Sequence, residues 1–267
     1  MSHYTGKVIL LTGASQGIGR ALALELAGQR PVLVLAARDV SALEEVAAEC
    51  RGLGARVLVF QTDVTDEAQC RALVSRTVAE AGGLDVLLHN AGAGMNARLD
   101  EMTDVSVFEK LMRVNYLGPA YLTHEALPHL KRSRGQIVVI ASVAGLTGVP
   151  LRTAYSGSKH AVFGLFESLR IELAEHGVSV TMIAPDFVQS EIHKRALGPD
   201  GRPVGDSTIA ERVAMPASEC AQMTVSAMER RQRLLITSWR GRFGRFARLV
   251  VPGLVDRSAA RASTCGV

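Results

Sequence analysis

Seven short runs of apolar and β-branched residues recur along the chain, and stretches with helical spacing lie between most of them. The runs cover residues 8–11, 32–36, 56–60, 86–89, 137–141, 178–183 and 234–237. Most show no polar alternation, which suits strands buried on both faces. Helical stretches are expected at 17–29, 41–51, 66–81, 104–131, 155–176 and 217–231. Asp66 and Ser218 stand where N-caps are expected, and Gly177 follows the fifth helix as a stop signal. Strands that alternate with helices must run parallel, with helices on both faces of one sheet. No repeat or low-complexity linker interrupts residues 1–238, which read as one domain with a basic extension at 239–267.

After the first run comes Thr12-Gly13-Ala14-Ser15-Gln16-Gly17-Ile18-Gly19, which leads into a helix. Such a turn brings backbone close to a pyrophosphate, and the helix N-terminus offers N–H groups and a positive dipole end. A ligand-free strand–helix turn would also satisfy the pattern. Beyond the second strand stand Arg38 and Asp39. An acid there bonds the ribose hydroxyls of NAD, whereas an arginine accommodates the 2′-phosphate of NADP. Arg38 directly follows the strand, and Asp39 starts the next helix, so NADP is expected, with NAD as the alternative. Arg38 as a plain solvated charge is the competing reading.

Composition closes several other routes. Aromatics make up 4% of the chain, too few for a base-stacking surface. The cysteines, Cys50, Cys70, Cys220 and Cys265, show neither zinc spacing nor a disulfide framework. No metal is expected, and a reducing, cytoplasmic setting fits. Residues 1–7 are polar and do not read as a secretory leader.

Ser142 closes the fifth strand region, and Tyr155 and Lys159 lie four apart at the start of the fifth helix, on one face. Asn90-Ala91-Gly92 follows the fourth strand, and Asn115 lies within the fourth helical stretch. In order and spacing these motifs, with the glycine turn, resemble the classical short-chain dehydrogenase/reductase family over residues 7–237. The resemblance implies a single doubly wound Rossmann-type α/β domain with a seven-stranded parallel sheet. It also implies hydride exchange between a nicotinamide cofactor and a carbonyl or secondary alcohol.

The residue types suit that chemistry. A developing alkoxide needs a proton donor, and tyrosine, with a pKa of ~10, needs help. The Lys159 ammonium is expected to lower it, and Ser142 to hold the substrate oxygen. By resemblance, Lys159 also meets the nicotinamide ribose and Asn115 organises a proton relay. By resemblance too, Gly13, Ser15, Gln16, Gly17, Ile18, Gly19, Asn90, Ala91 and Gly92 line the cofactor. So do Asp63 and Val64 after the third strand, and Pro185, Val188 and Ser190 after the sixth. The chain departs from the family at Asp186, which replaces a glycine, and at His89, which reads as a packed core histidine. A nucleotide-binding regulator without turnover is the rival from another class, and the Ser142–Tyr155–Lys159 set argues against it.

Residues 187–215 occupy the family's substrate segment and read either as a mobile lid or as a surface loop. Gly94, Met95, Asn96, Val143, Leu146, Val149 and Leu151 are candidate walls, mostly apolar, which hints at a hydrophobic substrate. The family implies a homodimer or homotetramer through 104–131 and 155–176, where Phe163, Leu165, Phe166 and Leu169 exceed what one sheet face needs. The net charge is +4, yet residues 239–267 hold six arginines against the single acid Asp256. No nucleic-acid motif accompanies that charge. Arginines interleave with apolar residues, so the tail reads as covered by a membrane surface or a neighbouring subunit, or as a plain solvated charge run. The cluster Leu249, Val250, Val251, Leu254 and Val255 slightly favours the subunit.

Overall fold

The computed structural model describes residues 3–205 and 214–264. The expected substrate segment and basic extension therefore fall partly outside the described residues, at 206–213 and 265–267, as does Cys265.

The expected parallel sheet is present. Its strands are β1 (Val8–Thr12), β2 (Val32–Ala37), β3 (Arg56–Gln61), β4 (Val86–His89), β5 (Gln136–Ile140), β6 (Ser179–Ala184) and β7 (Leu234–Ile236). They pair in the order β3-β2-β1-β4-β5-β6-β7, and every pairing is parallel. The order reverses between β1 and β4, so a crevice opens beyond their carboxyl ends.

Each strand feeds two cores because successive side chains point to opposite faces. Ile9 and Leu11 of β1 pack with Leu22 and Leu26 of α1 (Gly17–Ala27), Leu43 of α2 (Val40–Gly52) and Val225 of α7 (Ala217–Glu229). Leu10 faces the other way. It joins Leu73 of α3 (Glu67–Ala81), Leu122 of α5 (Gly118–Ser133) and Phe166 of α6 (Thr153–Glu172). Each such side chain contributes about 1.5–3 kcal/mol by burial, which is why the strands carry unbroken apolar runs. Asp66 caps α3 by accepting from the Gln69 N–H at 3.1 Å, as expected.

Three expectations change. The stretch 104–131 is not one helix. It divides into α4 (Ser106–Met112), a π-helical turn (Arg113–Leu117) and α5. Ser218 is not a cap, because α7 begins at Ala217 behind Pro216, whose ring-fixed φ of −57° sets the helix entry. Phe163 and Phe166 are not surplus for assembly: both are buried in the chain's own core, and Leu165 and Leu169 pack against it. The basic extension is helical, with α8 (Trp239–Val250) and α9 (Pro252–Thr264) meeting at Pro252.

Candidate active site

A cavity of about 690 Å³ fills the crevice beyond β1 and β4. Its floor is the glycine turn, with Gly13, Ser15, Gln16, Gly17 and Ile18 on the wall. Gly19 stands behind the wall, contrary to direct contact. A Cβ there would collide with the Gly13 carbonyl oxygen and would meet Asn90 Nδ2 at 2.5 Å, so glycine keeps the turn closed. Asn90 lines the cavity and also braces that turn, its Nδ2 donating to the Gly13 carbonyl at 2.9 Å. Thr12, the first residue of the turn motif but given no role from sequence, accepts from the N–H groups of Asn90 and Ala91 at 3.2 and 3.3 Å. It does so because β1 and β4 are neighbours, which no local spacing reveals.

Around the nucleotide end stand Arg38, Asp39, Asp63 and Val64, with Ala91 and Gly92 beyond them. The Asp39 carboxylate accepts from the Ala42 N–H at 3.1 Å as the cap of α2. Asp63 is likewise engaged, accepting from the Thr65 N–H and hydroxyl at 2.9 and 2.8 Å. Arg38 is exposed on the wall, and among the described residues no carboxylate lies within ion-pair distance of it.

Ser142, Tyr155 and Lys159 line the other end together. Strand β5 delivers Ser142 and the first turns of α6 deliver the pair. Burial raises the Tyr155 phenol above its ordinary 10, while a hydrogen bond from Ser142 and the Arg152 guanidinium pull it back. Lys159 stands beside it on the same helix. Its Nζ sits 5.8 Å from the Tyr155 ring centroid and donates to the Ile140 carbonyl at 3.0 Å. Burial drops Lys159 itself to about 8. At neutral pH the phenol therefore holds its proton, which is the form that donates to an alkoxide.

Asn115 also stands behind the wall. Within the π-helical turn its amide donates to the Ala93 carbonyl and accepts from the Ala93 N–H, both at 3.0 Å. It also donates to Ser158 Oγ at 2.9 Å, and Ser158 donates to the Tyr155 carbonyl at 2.8 Å. Asn115 thus ties the segment after β4 to the helix that carries Tyr155. His89 is a core residue as expected: its Nε2 lies 2.9 Å from the Thr123 hydroxyl, and burial pushes it down to about 3.

Pro185, Val188 and Ser190 line the cavity. Asp186 does not strain the turn, because its φ is not positive. Its N–H donates to Thr237 Oγ1 at 3.2 Å and its carboxylate accepts from Ser238 Oγ at 2.7 Å. In the described part of the substrate segment, Pro199 O accepts from Thr103 and Asp104, and Leu197 bridges Met95 and Pro203.

The expected substrate wall is corrected. Gly94, Met95, Asn96, Val143, Leu146, Val149 and Leu151 do not line the cavity, and Met95 is fully buried in a side core with Val107 and Leu111. The wall is Ala93, Leu111, Ile192, Leu197 and Pro203, with His193 and Arg195 among them. It is therefore mixed in polarity. Irregular loops carry no periodicity from which the facing of these residues could be read. Lys110 and Arg113, also on the wall, are paired with Asp104 and Glu109, each at 2.9 Å.

The short chain dehydrogenase family model matches residues 7–198. An 11-beta-hydroxysteroid dehydrogenase of Pinus massoniana is 36% identical over 259 residues, covering 94% of this chain and 72% of the relative. A dehydrogenase/reductase SDR family protein 7-like of Dictyostelium discoideum is 33% identical, covering 96% and 81%. Among solved structures, a short chain dehydrogenase/reductase from Burkholderia phymatum in complex with NAD superposes with a TM-score of 0.83 at 29% identity, over 95% of this chain and 96% of that one. Levodione reductase shares the fold, with a TM-score of 0.76 at 23% identity over 89% and 98% of the two chains.

Proposed function

Since the chain belongs to the short-chain dehydrogenase/reductase family, we propose that it is an NADP-preferring member acting on a hydrophobic ketone or secondary alcohol. The general chemistry is oxidoreduction of a small carbonyl or alcohol, and the bound nicotinamide supplies or accepts the hydride. The glycine turn, Arg38, Asn90 and the Pro185–Ser190 loop would hold that cofactor, and the close-packed Gly19 fits the turn to a backbone cradle. Ser142 orients the substrate oxygen, Tyr155 gives it a proton, and Lys159 supports the phenolate that results.

The observation that carries the cofactor preference is the division of labour at the end of β2. Asp39 engages its Oδ1 in the α2 cap, and Arg38 on the cavity wall has no carboxylate within ion-pair distance among the described residues. A charge-assisted hydrogen bond is worth roughly 1.5–3 kcal/mol, so NADPH should bind about ten- to a hundredfold more tightly than NADH. Titration calorimetry with both cofactors tests this, and Arg38→Asp should reverse the order. Equal affinities in the native chain would overturn the preference. NAD, which the Burkholderia phymatum structure holds, is the alternative that the same titration reads.

The hydrophobic substrate draws support from Ile192, Leu197 and Pro203 on the wall and from the hydroxysteroid dehydrogenases among the relatives. Assembly as a homodimer or homotetramer through the outer faces of α4, α5 and α6 belongs to the same reading. The described cysteines, Cys50, Cys70 and Cys220, are buried and free, which fits a reducing compartment.

A further inference from the structure

Trp239, Phe243, Phe246 and Val250 follow one another at i, i+4, i+7 and i+11, so they form one face of α8. They are 76, 67, 68 and 68% exposed. The opposite side of the helix is fastened to the body. Gly241 lies so close that a Cβ would meet Ile236 and Val143 at 2.8 and 2.9 Å. Ala247 is buried, Arg242 donates to the Ile236 carbonyl at 3.0 Å, and Arg248 donates to the Leu146 carbonyl. Ser238 caps the helix by accepting from the Gly241 N–H at 3.0 Å. The aromatic face is thus held outward by its own attachments.

The charge around that face has one sign. Helix α8 carries Arg240, Arg242, Arg245 and Arg248 and no acid. Among the described residues only Arg240 of these has a carboxylate nearby, Asp186 at 3.8 Å. We propose that α8 is a peripheral anchor that lays its Trp239–Phe243–Phe246–Val250 face into an anionic lipid surface, with its arginines among the headgroups. Two observations select a bilayer over a second copy of the chain. Leu249, Val251 and Leu254 are exposed too, but they belong to the end of α8 and the start of α9 itself; the remaining large exposed apolar residues among the described ones, Val40, Leu53, Leu99, Val105 and Ile171, are scattered over other elements. A second copy would therefore have to offer its own α8, which sets arginine against arginine. A layer with anionic headgroups over acyl chains complements both features at once. Among the described residues no helix is long and apolar enough to cross a membrane, so α8 would lie in the surface plane. Its attachment to Val143 and Leu146, beside Ser142, would hold the cavity near a store of apolar substrate.

Trp239 is the chain's only tryptophan, so its emission reports on α8 alone. The full chain is mixed with phosphatidylserine/phosphatidylcholine vesicles and with phosphatidylcholine vesicles. Emission should shift to the blue and the protein should co-float with the anionic vesicles. Raised salt should release it, and neutral vesicles should bind it weakly. The exposed double variant Phe243→Ser/Phe246→Ser should keep its fold by circular dichroism and bind roughly tenfold or more weakly. No shift and no co-flotation of the intact chain would overturn the proposal. So would a double variant that binds as well as the native chain. A smaller oligomer for that variant in sedimentation, with vesicles never bound, would instead assign the face to contact between copies.

Discussion

Burial raises the Tyr155 phenol and lowers the Lys159 ammonium to about 8. Both shifts have the same cause, loss of water around a charge, and they act in opposite directions because one group ionises to an anion and the other loses a cation. Lys159 is charged below about 8 and neutral above it. As pH rises through that value, the phenolate left by proton donation loses its nearby cation. Ketone reduction should therefore decline above about pH 8, and Lys159→Met should be slow and show no such decline. A native profile that stays flat between roughly pH 6 and 10 would contradict this assignment. The Tyr155–Lys159 pair was legible from its four-residue spacing. The tuning of Tyr155 by Ser142 and Arg152 was not, since burial and the folding of the 143–152 segment set it.

At the scale of elements, the boundaries that sequence periodicity missed are those that serve the site. A continuous helix over 104–131 satisfies the apolar pattern, yet the π-helical turn at Arg113–Leu117 breaks it and aims Asn115 at Ala93. Such a bulge rearranges backbone bonding without changing composition, so it leaves no sequence trace. Asp186 is the counterpart: a legible departure whose meaning needed the structure. It receives the Ser238 hydroxyl, and Ser238 caps α8. Replacing an N-cap serine by alanine costs about 0.5–2 kcal/mol, confined to the helix it caps. Ser238→Ala should speed hydrogen exchange in α8 by about three- to thirtyfold while leaving β1 unchanged. Unchanged exchange in α8 would mean that its attachment rests on Gly241, Arg242 and Arg248 alone.

The whole molecule follows from a reversal of strand order that opens one crevice, into which loops from β1 to β6 deliver their residues. The parallel sheet was readable because unbroken apolar strands and intervening helices admit few other arrangements. The cofactor half of the cavity was readable because its residues sit at strand ends, where position in the chain fixes position in space. The substrate half was not: the Val143 side chain and the Leu146 carbonyl meet α8, while Ile192, His193 and Arg195 reach the cavity from an irregular loop. The central claim is that Ser142, Tyr155 and Lys159 carry proton transfer in carbonyl reduction. Its most direct measurement follows absorbance at 340 nm with NADPH and a panel of hydrophobic ketones, for the native chain and for Tyr155→Phe. The native chain should turn over at least one ketone, and the variant should bind NADPH with similar affinity yet lose activity by about a hundredfold or more. Activity of Tyr155→Phe within roughly threefold of native would contradict the account, because proton donation would then come from another group.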